Sequence, residues 1–311
     1  MKSSTAMFRR GIYPEIWILA GLVVISLLGF AGYYYYDRYV HADEKLVERE
    51  TRHLEDMIMQ NPQDAELRAA VGDYYLETGA TGAAIQQANE VLKIRPDHQG
   101  ALVLLGRAYA KQGDAAKAIA SYERVVELNR DNAMAKADLG LERVYFELGR
   151  LYAERGQYSE AVQTLRSALD IDRGDADARY WLSIAYQKQN DHEAAIKELE
   201  ESLRYDPAFG DAYLALVTSY AALGRNPEAD YARAMASFGQ GKYDEAAERL
   251  EMLSRQGSDP PRLNLGLGLV YEKLKRRDLA ISALQKYVNA YPNDIAARQA
   301  LGRLDREVPQ Q

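Results

Sequence analysis

Apolar residues recur along most of this chain at the three- and four-residue spacing of amphipathic helices. In residues 99–132 the apolar positions of the first half share one helical face: Leu102, Leu105, Gly106 and Tyr109. The polar stretch 112–114 interrupts the pattern, and a second apolar face follows: Ala118, Ile119, Tyr122, Val125 and Val126. The pattern predicts two helices joined by a short turn.

The same two-helix pattern repeats along the chain, and a tyrosine marks each copy. These tyrosines are Tyr75, Tyr109, Tyr152, Tyr186, Tyr220 and Tyr271, and three of the five intervals between them are 34 residues long. A glycine stands three residues before four of the tyrosines, and an alanine stands nine residues after each of them. Because neither helix of such a pair can bury its apolar face alone, we expect an all-α solenoid in which neighbouring pairs stack.

The residue types at these offsets resemble those of the tetratricopeptide repeat. Two segments carry specific matches: Gly106…Tyr109…Gly113…Ala118…Tyr122 and Leu267-Gly268…Tyr271…Ala280…Leu284…Pro292. The resemblance implies a right-handed superhelix of helical hairpins. It also implies that the first helix of each hairpin lines a concave groove, which binds peptides or helices of partner proteins.

The resemblance divides the chain into repeat units and two irregular segments. Units are assigned to residues 65–98, 99–132, 142–175, 176–209 and 261–294, and a capping helix and tail to residues 295–311. The 43-residue interval between Tyr109 and Tyr152 adds nine residues, 133–141, which we expect to lengthen the first helix of the third unit. The 51-residue interval before Tyr271 is one and a half periods, so residues 210–260 are predicted to form three helices, a candidate hinge. A locally irregular helix pair is the alternative.

An uncharged run at residues 16–36 predicts a single transmembrane helix near the amino terminus. As a helix its 21 residues would span about 31 Å, which matches a bilayer core of about 30 Å. Trp17 and the tyrosines at positions 33–36 stand at its two ends, where aromatic residues favour the membrane interface. A cleaved signal peptide is the alternative, although its apolar core usually has only about 7–15 residues. The run therefore favours a signal-anchor.

The flanks of this run suggest an orientation. Three Lys or Arg residues precede it and three follow within fifteen residues, but Arg9 and Arg10 lie closest to it. This favours residues 1–15 as a cytoplasmic tail and extracytoplasmic repeats, which would be periplasmic in a bacterium. Repeats that face the cytoplasm are the alternative. Residues 37–64 are charged with apolar residues near helical spacing, and they predict a helical linker that ends in a half-repeat cap.

The family resemblance also indicates where a partner would bind. In this family the groove is lined by first-helix residues one turn apart, which the tyrosines locate by counting. The predicted partner-binding residues form an apolar strip with basic flanks: Val103, Arg107, Lys111, Phe146, Arg150, Tyr180, Ile184, Leu214 and Thr218. The Lys and Asn of the family's carboxylate clamp are missing at these offsets, so a chaperone tail is not expected. An amphipathic helix, or an extended segment with acidic neighbours, fits this strip better. The alternative is that these side chains pack within the superhelix or against a second copy.

Composition narrows the classes of function. The formal charge of −7 divides into about +2 for residues 1–36 and about −9 for the rest, and an acidic body does not fit nucleic acid as a partner. The chain has no cysteine, and its four histidines lack metal-ligand spacing. Nothing in the sequence assembles a nucleophile, a base and an orienting group. We therefore predict no enzyme activity, no cofactor and no metal.

These features together predict a membrane-anchored scaffold for protein–protein interaction. It would bind a protein or peptide partner in its groove during assembly of an envelope or membrane complex. The alternatives are a structural repeat protein that assembles into homo-oligomers, and the same scaffold facing the cytoplasm.

Overall fold

The computed structural model describes the backbone of residues 14–258 and 260–306, and their side chains except at 14–21, 40–47 and 136. Residues 1–13 of the predicted tail, and residues 307–311, lie outside this description. The chain divides into two compact units, residues 1–96 and residues 97–311.

The described part of the first unit is helical. Its α-helices are α1 (Pro14–Tyr35), α2 (His41–Gln60), α3 (Ala65–Glu77) and α4 (Thr81–Ile94), with a π-helical segment, Tyr36–Val40, between the first two. Helices α3 and α4 pack against each other as a hairpin. Asp64 caps the start of α3, because its carboxylate accepts a hydrogen bond from the Leu67 backbone N–H at 3.0 Å.

The described side chains of helix α1, from residue 22 onward, are exposed and mostly apolar. Every side chain from Leu22 to Tyr39 is exposed, and Leu28 keeps 68% of its surface accessible. Within the described part of the chain, none of the helices has both the length and the apolar character that crossing a membrane requires. The described helices therefore do not support the predicted transmembrane span at residues 16–36.

The second unit consists of stacked helical hairpins. Its α-helices are α5 (Gln99–Gln112), α6 (Ala115–Leu128), α7 (Leu139–Glu154), α8 (Tyr158–Ile171), α9 (Ala176–Lys188), α10 (His192–Tyr205), α11 (Gly210–Ala222), α12 (Asn226–Gly239), α13 (Tyr243–Arg255), α14 (Leu263–Lys273), α15 (Arg277–Ala290) and α16 (Ile295–Arg306). Each helix packs on the next along the chain. The predicted all-helical solenoid is confirmed for this unit.

Short polar turns reverse the chain within each hairpin. Gly113 and Gly156 adopt left-handed φ angles of 80° and 77°, which glycine reaches without a steric penalty. Asp114 and Asp191 then start the second helices, because each carboxylate accepts a hydrogen bond from a backbone N–H three residues ahead. A left-handed residue at each of these turns, with an acidic cap at two of them, explains why the hairpins turn within a few residues.

The glycines that precede the tyrosines allow the two helices of a hairpin to pack closely. A Cβ atom at Gly149 would lie 2.5 Å from Cγ of Leu165, and one at Gly268 would lie 2.5 Å from Cγ of Leu284. These distances are far below ordinary carbon–carbon contact, which is about 3.5–4.0 Å. The glycines therefore permit a helix spacing that a larger residue would prevent.

The nine-residue insertion does not simply lengthen a helix, contrary to the expectation for residues 133–141. Only residues 139–141 join α7, whereas the preceding residues form a loop with one 3₁₀ turn, Ala135–Ala137. The carboxylate of Asp138 accepts hydrogen bonds from the backbone N–H groups of Gly140 and Leu141 at 2.8 and 3.1 Å. Because Asp138 itself is extended, with ψ of 100°, it starts the helix at this point.

Residues 210–260 contain the three helices α11, α12 and α13, and the middle one is shared. Helix α12 packs against α11, against α13 and against α14. Consistent with this, residues on more than one face of α12 are buried: Ala229, Tyr231, Ala232, Ala234, Met235, Ala236, Ser237 and Phe238. At its end, a Cβ on Gly239 would lie only 2.6 Å from Cα of Gly210. Helix α12 therefore acts as the second helix for α11 and as the first helix for α13.

Candidate partner-binding groove

The first helices of the hairpins line one side of the second unit. Helix α7 contacts α9, and α9 contacts α11, while the neighbouring second helices in the described unit lie farther apart. The first helices therefore form the inner, concave side. All nine predicted partner-binding residues lie on the first helices α5, α7, α9 and α11.

The apolar part of the predicted groove is most accessible on α9 and α11. Leu214 keeps 46% of its surface exposed, and Thr218, one turn later, is also exposed. Tyr180 and Ile184 are partly buried against the core, and the Tyr180 ring packs on Phe209 with centroids 5.1 Å apart. Tyr180, Ile184 and Leu214 thus leave apolar surface accessible on two neighbouring first helices. Val103, on α5, is also partly buried.

Phe146 does not contribute to this surface, contrary to the prediction from the sequence. Only 6% of it is exposed, and the guanidinium of Arg143 lies 5.0 Å from the centre of its ring. The arginine therefore packs over a ring that the sequence analysis predicted to contact a partner. Phe146 is therefore a core residue of the third hairpin.

The basic flank is partly neutralised by the protein's own carboxylates. Arg150 forms ion pairs with Glu147 at 2.9 Å and with Glu154, and Arg143 also pairs with Glu147 at 2.9 Å. Arg107 and Lys111 on α5 are exposed. Ion pairs near a surface contribute little net stability, so a partner's carboxylate could replace one of these at small cost.

The sequence-marking tyrosines have a structural role that the sequence pattern alone did not assign. In the second unit, Tyr220 donates a hydrogen bond to Glu200 at 2.9 Å, and Tyr271 donates one to Glu251 at 3.0 Å. Each bond joins a first helix to the second helix of the preceding hairpin. The acidic partner stands 20 residues before the tyrosine, and this spacing was available in the sequence. Burial, followed by the interaction with Glu251, raises the pKa of Tyr271 to about 12.

Two carboxyl groups meet where α7 approaches the start of α9. Glu142 is only 9% exposed, and its Oε1 atom has no hydrogen-bond partner within the described residues. Burial, and then Asp175, raise the pKa of Glu142 to about 7. Elsewhere in the described chain, no group of three or more His, Asp or Glu side chains is arranged to hold a metal ion.

A pocket that is partly open to solvent lies in the second half of this unit, and the sequence pattern did not indicate it. Its volume is about 570 Å³. Its walls come from the α10–α11 turn, from α12 and α14, and from the start of α16. Among the lining residues are Tyr213, Tyr231, Arg262, Leu265 and Leu269. The last two stand six and two residues before Tyr271, which are the same offsets as the predicted groove residues.

Stacked hairpins with aligned first helices define the second unit as an α-solenoid of helical repeats. Models of the tetratricopeptide repeat match residues 99–174, 152–201, 180–236 and 231–295. Together they cover residues 99–295, which is more than half of the chain, and the chain therefore belongs to the tetratricopeptide repeat family. The last two matches overlap at residues 231–236, within the shared helix α12.

Solved structures show the same fold. The crystal structure of MamA shares 26% sequence identity with the chain; the match covers 56% of this chain and 96% of MamA, with a TM-score of 0.50. YrrB, described as a TPR protein with an unusual peptide-binding site, shares 16% identity; its match covers 63% of this chain and 96% of YrrB, with a TM-score of 0.53. A comparison with curated protein sequences gave no match.

Proposed function

We propose that this protein is a scaffold that binds a peptide or helix of a partner protein along its first helices, during assembly of a membrane or envelope complex. The observation that carries the proposal is the accessible apolar surface on α9 and α11, formed by Tyr180, Ile184 and Leu214. Apolar side chains that are accessible side by side, with polar and charged neighbours, are typical of an interaction site.

The flanking charges suit a partner with acidic residues. Arg107 and Lys111 are exposed on α5. Arg150 is on α7, which is the next first helix in the chain and precedes the apolar residues on α9 and α11. An amphipathic helix with an apolar face and acidic edges would match both features.

Partner capture with a charged variant tests this proposal. In the Leu214→Asp/Thr218→Glu double variant, two exposed positions one turn apart become negative, so the core remains intact while an apolar or acidic partner is repelled. We expect the full chain with this change to capture at least tenfold less partner from detergent extracts than the unmodified chain does.

A matched control is available on a second helix. Leu279, on α15, is 49% exposed, so Leu279→Asp makes the same Leu→Asp change as at Leu214, with one negative charge at a similar exposure, away from the first helices. It should capture the partner normally. Undiminished capture by the double variant, with an unchanged circular dichroism spectrum, would reject the groove as the binding surface.

We further propose that α1 anchors the chain in a membrane, with the repeats on the extracytoplasmic side. The uncharged sequence run at residues 16–36 and the exposed apolar side chains of α1 support an association with lipid. Retention of the chain in the membrane fraction after alkaline extraction is expected. Protease added to intact spheroplasts should digest the repeats, and protection from the protease would place them in the cytoplasm instead.

A further inference from the structure

The pocket near the shared helix contains an arginine without an internal partner. Arg262 immediately precedes α14 and lines the pocket, and it also lines a smaller adjoining pocket of about 340 Å³. Across the described residues, its guanidinium makes no hydrogen bond and no ion pair. An arginine that is removed from much of the solvent without a carboxylate is unusual, because burial of an unpaired charge is unfavourable.

The other charged groups of the pocket are already paired. Arg204 pairs with Glu201 at 2.8 Å, and Arg303 pairs with Glu272 at 3.3 Å. Asp294 accepts hydrogen bonds from the Tyr287 hydroxyl and from the backbone N–H of Ala297, both at 3.0 Å. Arg262 is thus the one arginine lining the described pocket that has no internal ion pair.

Glu200 is the carboxylate that attracts Arg262 most strongly, but it forms no ion pair with Arg262. Glu200 lines the adjoining pocket, but its Oε1 atom accepts a hydrogen bond from the hydroxyl of Tyr220 at 2.9 Å. Burial is the largest single influence on Arg262 and disfavours its charge, but the attractions of Glu200 and of three neighbouring tyrosines together outweigh burial and raise the arginine's pKa. The guanidinium therefore stays charged and keeps its donors available.

The remaining walls define what could approach this charge. Leu265, Leu269 and Ile295 provide apolar surface, and the hydroxyls of Tyr213 and Tyr231 stay protonated because burial raises both pKa values. Carboxylates bind arginine through two parallel N–H···O bonds, which suits a single unpaired guanidinium. A dianionic phosphate would keep one negative charge uncompensated here, because the other two arginines that line the described pocket already form ion pairs.

We infer that this pocket binds a carboxylate carried on an apolar segment of the partner protein. The inference rests on the proposed function and extends it, because the pocket continues the row of first-helix positions through Leu265 and Leu269. The Arg262 guanidinium would hold the carboxylate, while the leucines would contact the neighbouring apolar side chains of the segment.

Short synthetic peptides test this inference directly. The acidic probe is acetyl-Leu-Glu-Leu-Leu-amide, and its matched neutral probe has glutamine in place of glutamate. A third probe has glutamine and a free terminal carboxylate, so it separates a side-chain source from a terminal source of the carboxylate. Binding is followed by titration of the full chain in detergent, with the methyl signals of Leu265, Leu269 and Ile295 as reporters.

We expect at least one carboxylate probe to shift these methyl signals and to bind about tenfold or more tightly than the neutral probe, since bonds to a charged group are the strong ones. Arg262→Met should remove this preference. Arg233→Met is the matched control, because Arg233 is exposed on α12 and pairs with Asp230, and it should retain the preference.

Three results would overturn the inference. They are equal binding of the acidic and neutral probes, no binding of any probe, and an unchanged preference in the Arg262→Met variant with an unchanged unfolding curve. The outcome is separable from that of the proposed groove. Loss of partner capture in the Leu214→Asp/Thr218→Glu variant reports on α11, whereas the methyl shifts report on the pocket alone.

Discussion

Replacement of Gly239 by alanine tests the packing of the shared helix α12. A Cβ atom at this position would lie 2.6 Å from Cα of Gly210 and 2.7 Å from the carbonyl oxygen of Ala208. Both atoms belong to the backbone, one in the turn before α11 and one at its first residue, so no side chain can rotate away to make room. The two segments would have to separate by about 1 Å to reach ordinary contact distance.

The size of the effect follows from two opposing terms. Overpacking of a tight interior costs about 1–3 kcal/mol, and a contact with rigid backbone belongs at the upper end of that range. Alanine is favoured over glycine within a helix by up to about 1 kcal/mol, which offsets part of the cost. We expect a net loss of about 2 kcal/mol in the free energy of unfolding.

Urea unfolding of the full chain, followed by circular dichroism, measures this loss, and hydrogen exchange locates it. Exchange should accelerate first in α11 and α12. Gly302→Ala is the control, because Gly302 lies within α16 and nothing occurs within 4 Å of its added Cβ. That variant should gain about 0.5–1 kcal/mol. If Gly239→Ala were as stable as Gly302→Ala, the close approach of α12 to the turn before α11 would be refuted.

Three further predictions concern buried groups. Glu142, whose pKa is raised to about 7 by burial and by Asp175, holds its proton in the folded state between pH 4.5 and 7 but loses it when unfolded. The free energy of unfolding should therefore fall by on the order of 2 kcal/mol as the pH rises through this window, and Glu142→Gln should lack that fall in urea titrations at each pH. Tyr271→Phe removes the hydroxyl that Glu251 accepts and should cost about 1–2 kcal/mol in the same assay, whereas an unchanged midpoint would argue against a clamp between hairpins. Phe146→Ala should lower the free energy of unfolding by about 3–5 kcal/mol, because it truncates a core residue. A loss below about 1 kcal/mol would show that Phe146 is not part of the core.

The hairpin fold was predictable because its determinants are local. The helical spacing of apolar residues, the left-handed glycines and the aspartate caps all act within a few residues. The glycine before four of the tyrosines could be assigned correctly, since a repeat places the same close helix contact in several copies. The candidate site was less predictable, because counting residues from each tyrosine does not show which neighbouring side chain covers a given position. Arg143 covers Phe146, and this contact depends on the rotamers of both side chains.

The two irregular intervals show the same limit at the level of whole elements. The interval of 43 residues shows that residues are inserted but does not determine their conformation. In the structure they form a loop, and Asp138 caps the start of α7 after it. The interval of 51 residues indicates an odd number of helices. Only the packing of α12 against α11, α13 and α14 shows that one helix serves two hairpins.

By itself, the sequence determined the repeat family and the period, because both follow from interactions between near neighbours in the chain, and the family resemblance then implied which helices face inward. The tertiary structure decided which inward residues remain accessible and which charge remains unpaired. Leu203 and Ile295 line the same pocket although they are far apart in sequence. Such a pocket depends on how several hairpins stack, and a small change in the stacking at α12 moves its walls relative to one another. The unpaired state of Arg262 is therefore a property of the folded array that no local pattern specifies.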